Sequence, residues 1–273
     1  MANAFQKHWP EYLMEAFLLG MFMVSASVFM VLLYHPGSPV ANAIHGELIR
    51  RWLVGLAMGL TAIALIYSPW GKQSGAHMNP AVTVSFLRLG KVAPWDAVFY
   101  IVFQCAGGAL AMYGMRAAMR EAIAEPAVNY VLTLPGADGV GVAFLAEWAI
   151  SFCMMFAVLT VSNAPRAARH TGLVAGALVM LFITFEAPYS GMSINPARSL
   201  ASALAAGNWT AFWVYLAAPL TGMLAGAESY VRLHRPGRVG CAKLHHHNAK
   251  RCIFCNYQHP ELAAAPVRAQ QAG

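Results

Sequence analysis

Charged residues are scarce in this chain. Asp, Glu, Lys and Arg together make up 11% of its 273 residues, whereas a typical soluble domain carries about 25%. Acidic residues are the rarer kind, with 11 Asp and Glu against 18 Lys and Arg. Hydrophobic residues account for 59% of the chain. This composition excludes an ordinary soluble domain and indicates an integral membrane protein.

Motifs for other classes of function are also lacking. The net charge of +7 is not accompanied by an RNA- or DNA-binding motif, so we attribute it to membrane topology and expect no nucleic-acid partner. The apolar segments contain no nucleophile–base pair and no nucleotide-binding motif, and we therefore expect no enzyme activity. Two of the five cysteines, Cys105 and Cys153, fall within apolar segments, where cysteine behaves as a small hydrophobic residue.

Long apolar segments are plentiful. Six are long enough to cross a bilayer, which takes roughly 20 residues. They lie at about 12–34, 51–69, 95–119, 141–162, 172–188 and 209–233. Two shorter segments, 79–89 and 195–205, have about 11 residues each and reach ~16 Å, half of a ~30 Å hydrocarbon core. We predict that these two are re-entrant half-helices.

The order of the segments predicts a tandem repeat. Three spans with a half-helix between the second and third are followed by the same arrangement, and Glu15 and Glu147 each lie early in their repeat. Because three spans reverse the direction of the chain, the two halves form an inverted repeat. The predicted parts are an N-terminal segment 1–11, a first repeat 12–120, a connecting loop 121–140, a second repeat 141–233 and a tail 234–273. Glycine pairs four residues apart predict close helix crossings. They are Gly55/Gly59, Gly172/Gly176 and Gly222/Gly226.

Each half-helix begins with the same motif. The two copies read SGAHMNPA at 74–81 and SGMSINPA at 190–197. Asn is a preferred helix N-cap and Pro is favoured at the first helical position, so Asn79-Pro80-Ala81 and Asn195-Pro196-Ala197 predict helix starts. Two such starts at membrane depth would point their positive ends at one polar spot.

The doubled Asn-Pro-Ala motif, the six-span inverted repeat and the two acids resemble the major intrinsic protein family, the aquaporins, over roughly 12–233. The resemblance implies an all-α membrane protein with six transmembrane helices and two re-entrant half-helices. It implies a homotetramer with one pore per subunit, which conducts water and small neutral solutes without a cofactor. The amides of Asn79 and Asn195 would donate hydrogen bonds into the pore and, with the helix dipoles, exclude protons and ions.

The resemblance also places a selectivity filter. In the family the Arg two positions after the second Pro lines the narrow part of the filter, and the resemblance implies this role for Arg198. A charged side chain at this depth usually faces a cavity, and a structural salt bridge is the alternative. By the family's spacing the other positions are Ile183, Met192 and either Met58 or Gly59. This filter is more apolar than in water-specific relatives, which usually have His at the Ile183 position.

Other positions resemble water channels. Ser199 follows Arg198, where glycerol-conducting relatives usually have Asp, while Ala203 and Phe212-Trp213 match the water-channel pattern. We favour water as the permeant molecule. Ammonia, hydrogen peroxide, glycerol and a metalloid hydroxide stay open as cargo, as does a facilitator that mainly carries one of them.

Three polar residues support the loops in this interpretation. The resemblance implies that Glu15 and Glu147 accept hydrogen bonds from backbone N–H groups of the motif-bearing loops. A proton relay is the alternative for two intramembrane acids, and an alternating-access transporter is the corresponding alternative for the whole chain. His77 either lines the pore or holds its loop.

The tail adds a separate pattern, which reads CAKLHHHNAKRCIFCNYQH at 241–259. Three thiols and an imidazole supply the tetrahedral ligand set that zinc prefers, and iron is the other candidate. The candidate ligands are Cys241, His245, Cys252, Cys255 and His259. The alternative is a disordered basic tail with reactive thiols. A tail that binds metal and gates the pore is a further hypothesis.

Lys and Arg predict the orientation. They are concentrated in the N-terminal segment, the 163–171 loop and the tail, while the opposite side holds Arg50, Arg51, Arg116 and Arg120. The positive-inside rule therefore places both termini in the cytoplasm, with the chain in a plasma or inner membrane.

Overall fold

The computed structural model describes residues 1–234 and 239–255, and this part of the chain is helical without a β-strand. The helices are α1 (Ala2–Tyr34), α2 (Pro39–Ala43), α3 (Glu47–Tyr67), α4 (Pro69–Ser74), α5 (Pro80–Arg88), α6 (Pro94–Met119), α7 (Glu121–Ala124), α8 (Gly139–Ser162), α9 (Thr171–Phe185), α10 (Ala187–Ser190), α11 (Pro196–Ala206) and α12 (Phe212–His234). Short 3-10 turns lie at Asn129–Val131 and Ala168–His170. The predicted all-α membrane fold is confirmed.

Five helical segments are long and apolar enough to cross a membrane: α1, α3, α6, α8 and α9 with the turn before it. The helix of the sixth predicted span, α12, has 23 residues and packs along α8, but it includes Pro219 and Glu228 and is more polar. Several boundaries differ from the prediction, and two of them change the description of the chain. Residues 2–11, predicted to precede the first span, form the first part of α1. The predicted span 172–188 ends at Phe185, and α10 follows it as a separate helical turn.

The two half-helices begin alike. Asn79 and Asn195 have extended backbones, and the side-chain oxygen of each accepts from the helix's own N–H groups, at Ala81 and at Ala197. The residues one and three positions before each Asn have positive φ, between 49° and 56°. They are Ala76, Met78, Met192 and Ile194. We call the segments before each Asn, 75–78 and 191–194, the lead-in segments. The left-handed backbone of non-glycine residues is costly, so the contacts of the lead-in segments must stabilise it.

Small residues let the long helices cross closely. A Cβ added at Gly59 would lie 2.5 Å from the Gly176 carbonyl oxygen, and one at Gly55 would lie 2.6 Å from that of Met180. A Cβ at Gly226 would lie 2.6 Å from the Phe152 carbonyl. Glycine therefore sets the separation of α3 from α9 and of α12 from α8, as the spacing predicts.

One crossing offers a matched pair of substitutions on α6. A Cβ at Gly107 would overlap the carbonyl oxygen of Ala16 on α1, whereas nothing lies within 4 Å of a Cβ at Gly114. Both Gly→Ala changes gain the same helix propensity, so only the crossing distinguishes them. We expect Gly107→Ala to destabilise the protein by about 1–3 kcal/mol, a typical cost of overpacking. Thermal unfolding in detergent measures this, and equal midpoints for Gly107→Ala and Gly114→Ala would contradict the close crossing.

Candidate functional site

A cavity of about 440 Å³ lies between the two repeats. Its wall is largely apolar and includes seven of the side chains named from the sequence: Met58, His77, Asn79, Ile183, Met192, Asn195 and Arg198. Residues 126–129 of the connecting loop line it near Arg198, and Leu244 of the tail lines it near His77. We call these its Arg198 end and its His77 end.

The two half-helix starts are joined directly by hydrogen bonds at the wall of this cavity. The Nδ2 of Asn79 donates to the Ile194 carbonyl at 2.7 Å, and the Nδ2 of Asn195 donates to the Met78 carbonyl, also at 2.7 Å. We call this pair of bonds the Asn latch. A side-chain amide nitrogen carries two hydrogens, so each Asn retains a second N–H for the cavity. The latch therefore joins the repeats at the point where both helix dipoles are positive.

The two buried acids hold the lead-in segments. Glu15 accepts from the backbone N–H groups of His77 at 3.0 Å and Met78 at 2.6 Å. Glu147 does the same for Ser193 at 2.5 Å and Ile194 at 2.8 Å. Both glutamates are fully buried. Their carboxylates thus stabilise the left-handed backbone before each half-helix.

Further pairs of polar residues, absent from the sequence prediction, repeat in both halves. Ser74 and Ser190 donate to Glu15 and Glu147, at 2.7 and 2.8 Å. The tyrosines Tyr100 and Tyr215 donate to the carbonyls of these two serines, each at 2.7 Å. The serines lie five residues before each Asn, so comparison of the two motifs for shared polar positions would have found them.

The filter positions all lie close to the cavity except one. Met58, Ile183 and Met192 line it, whereas Gly59 packs against Gly176 and is not part of the wall. Of the two alternatives from spacing, Met58 is therefore the one that lines the cavity. Arg198 is buried, and its Nη1 has no hydrogen-bond partner among the described residues. That N–H group is available to a molecule in the cavity.

The basic residues on the Arg198 side have different roles. Arg50 donates to the carbonyls of Ala41 and Ile44, at 2.8 to 3.1 Å, and so holds the loop between α1 and α3. Arg51 lines the cavity, and its Nε has no partner among the described residues. The contacts of Arg50 therefore give a structural role to one of the two arginines that run against the overall distribution of positive charge.

His77 both lines the cavity and is held in place. Its Nδ1 lies 3.1 Å from the Thr83 hydroxyl, and its Nε2 lies 2.8 Å from the carbonyl of Ala242 in the tail. Because a carbonyl only accepts, Nε2 carries the proton and donates. The ring is stacked between Phe86 and Phe254, with centroids 5.3 and 5.4 Å away.

The tail brings together Cys241, His246, Cys252 and Cys255, whose ligand atoms all lie within 4.8 Å of one another. The imidazole in this group is His246, where the sequence prediction named His245. His245 instead packs edge-on against Tyr67, with centroids 5.0 Å apart. His259 lies outside the described residues. A hydrogen bond from the Cys241 thiol lowers the pKa of Cys252, which favours the thiolate form that binds metals.

Known proteins are similar to this chain in sequence and fold. A family model described as "Major intrinsic protein" matches residues 5–230. Aquaporin NIP6-1 of Arabidopsis thaliana is 40% identical over 188 residues, which are 67% of this chain and 59% of that protein. Aquaporin NIP3-1 of Zea mays is 34% identical over 205 residues, 74% of this chain and 66% of that one. The chain thus spans roughly three fifths to two thirds of the length of these relatives.

Among solved structures, the aquaglyceroporin from Plasmodium falciparum matches with a TM-score of 0.68. The match covers 84% of this chain and 98% of that chain at 19% identity, and it shows the fold alone. Major intrinsic proteins are integral membrane channels rather than enzymes, and their pores need no cofactor. From the family match over residues 5–230 and the identity to NIP aquaporins, this chain belongs to the major intrinsic protein family.

Proposed function

We propose that this chain forms a passive channel for water and small neutral solutes, with protons and ions excluded at its midpoint. The Asn latch carries the proposal, because it places two amide donors and two helix N-termini on one cavity lined by both repeats. A water that passes would turn its oxygen toward these donors. A cation would meet positive potential from both half-helices.

The filter supports a mixed cargo. Met58, Ile183 and Met192 present apolar surface, while Arg198 supplies hydrogen-bond donors beside them. A molecule with both carbon and hydroxyl groups can contact each kind of surface. We favour water as the main permeant molecule, and ammonia, hydrogen peroxide, glycerol or a metalloid hydroxide is the second candidate.

The proposal also includes the orientation of the chain in the membrane, its oligomeric state and the metal of its tail. Both termini and the 163–171 loop lie in the cytoplasm of a plasma or inner membrane, because Lys and Arg are concentrated there. The His77 end of the pore then faces the cytoplasm. Four chains form the homotetramer typical of the family, with one pore per subunit. The Cys/His group of the tail holds zinc or iron.

Stopped-flow light scattering on proteoliposomes tests the channel and its filter. With the tail stripped of metal by a strong chelator and an impermeant osmolyte outside, we expect fast shrinkage at low activation energy. Replacement of Ile183 by His adds a polar ring to the apolar side of the filter, so less room remains for a carbon skeleton. We expect Ile183→His to reduce glycerol and urea entry at least tenfold while it leaves water permeability within about twofold.

Ile183→Val serves as the control, since it keeps the filter apolar and should not reduce solute entry. Unchanged solute entry in Ile183→His would show that this position does not limit the pore. Slow water flux with rapid solute entry in the unmodified protein would instead favour the facilitator for a neutral solute.

A further inference from the structure

The tail group has the dimensions of a tetrahedral metal site. The Cys241 Sγ lies 3.5 Å from the Cys252 Sγ and 3.6 Å from the Cys255 Sγ, which in turn lies 3.5 Å from the His246 Nε2. Two sulfurs bound to one zinc ion at ~2.3 Å are about 3.8 Å apart, and a sulfur and an imidazole nitrogen are about 3.5 Å apart. These three separations are therefore close to the edge lengths of such a tetrahedron, and all four ligand atoms lie within 4.8 Å of one another.

The tail around this group contains little regular structure. Residues 239–255 form no helix or strand, so few backbone hydrogen bonds hold their shape. A metal ion that joins positions 241, 246, 252 and 255 would cross-link this segment at four points. In small segments of this kind, the free energy of metal binding becomes free energy of folding.

The same segment is docked on the His77 end of the cavity. Its apolar side chains are buried there, namely Val239, Ala242, Leu244, Ile253 and Phe254. The backbone N–H of Leu244 donates to the Gly75 carbonyl at 3.1 Å, and the Ala242 carbonyl accepts from His77. Leu244 itself lines the cavity. The tail thus occupies two polar groups of the first lead-in segment that water would otherwise contact.

Contacts with other elements fix the tail in this position. The Gly240 N–H donates to the Asn163 side chain at 2.8 Å, after the end of α8. The Arg251 guanidinium donates to the Lys7 carbonyl at 2.7 Å and lies 3.7 Å from the Glu11 carboxylate, both on α1. The tail therefore bridges the two repeats across one end of the pore.

We propose that Cys241, His246, Cys252 and Cys255 bind one zinc ion, and that the zinc-loaded tail closes the His77 end of the pore. On binding, zinc forms bonds to three thiolates and one imidazole, and any thiol protons pass to solvent. Loss of zinc frees residues 239–255 to leave the Gly75 carbonyl and the His77 imidazole. The closure rests on the proposed channel function, whereas the zinc site does not.

The test uses the full-length protein, purified and measured for metal by mass spectrometry before reconstitution. We expect one zinc per chain, and none after treatment with a strong zinc chelator. Water permeability should rise at least fivefold in the stripped protein and return when zinc alone is added back. Cys252→Ser should lose zinc and show the same rise, whereas Cys153→Ser on α8 should match the unmodified protein.

Phe254→Ala provides a second variant that leaves all four ligands in place. It removes the ring stacked on His77, so it should keep its zinc but conduct at least threefold faster. Iron in place of zinc, or a Cys252–Cys255 disulfide without metal, would overturn the zinc assignment. Equal permeability of loaded and stripped protein would overturn the closure. Zinc binding with no flux in any state or variant would overturn the channel and the closure together.

Discussion

Replacement of Glu147 by Gln is expected to destabilise the protein and to remove most of its water permeability. The carboxylate accepts from the Ser190 hydroxyl and from the N–H groups of Ser193 and Ile194. A Gln side chain keeps one acceptor oxygen and turns an NH₂ group toward a donor. A buried donor that loses its partner costs about 1–3 kcal/mol, and more where a charge assisted the bond. We expect at least a tenfold fall in water permeability per chain, together with a lower thermal midpoint in detergent.

Glu228→Gln is the matched control. Glu228 forms an ion pair with Arg88 at 2.7 Å, but both side chains are partly exposed, and such pairs contribute about 0–1 kcal/mol. This variant should therefore keep its midpoint and permeability. A Glu147→Gln protein as stable and as permeable as the unmodified chain would show that the carboxylate does not hold the second lead-in.

Arg198→Val is expected to have the largest effect on selectivity. The substitution removes a buried positive charge and leaves a smaller side chain at the Arg198 end of the cavity. Two unit charges about 5 Å apart repel by about 3 kcal/mol at an effective dielectric constant of ~20, which corresponds to about a hundredfold in rate. We expect methylammonium uptake into proteoliposomes to rise between tenfold and a hundredfold, with a smaller rise in glycerol entry.

Arg51 also lines the cavity and keeps its positive charge in this variant. Its repulsion of cations is the reason that the rise in methylammonium uptake could be as small as tenfold. Arg198→Lys preserves the charge and should keep methylammonium out. If Arg198→Val excludes methylammonium as well as the unmodified protein does, the cation barrier lies elsewhere, at the Asn latch.

Short sequence motifs predict much of the fold and of the candidate site. Asn followed by Pro specifies a helix start on its own, so both half-helices and their caps were predictable from single motifs. The glycine pairs likewise predict close helix crossings, because a residue without a side chain lets a neighbouring helix approach whatever the surrounding sequence. Glu15 and Glu147 were placed with the lead-in segments through the family resemblance, and the hydrogen bonds found in the structure are those it implies.

Other features depend on contacts between distant residues. His77 and Ala242 are 165 positions apart, so no local pattern links the tail to the pore. Spacing leaves Met58 and Gly59 as alternatives, because which of two neighbouring residues faces the cavity depends on the rotation of α3, and in the structure Met58 lines it. The choice of His246 over His245 depends on how an irregular segment folds, because neighbouring histidines have the same chemistry.

The Asn latch fixes the middle of the molecule. A carrier that works by alternating access needs its two repeats to rock against each other around the cargo. Such rocking would break both latch bonds, which join the half-helix starts of the two repeats directly. Without such rocking, an ion gradient could not be coupled to transport of cargo against its own gradient. The proposed channel needs no such movement, and its net flow would follow the gradient of the permeant molecule itself.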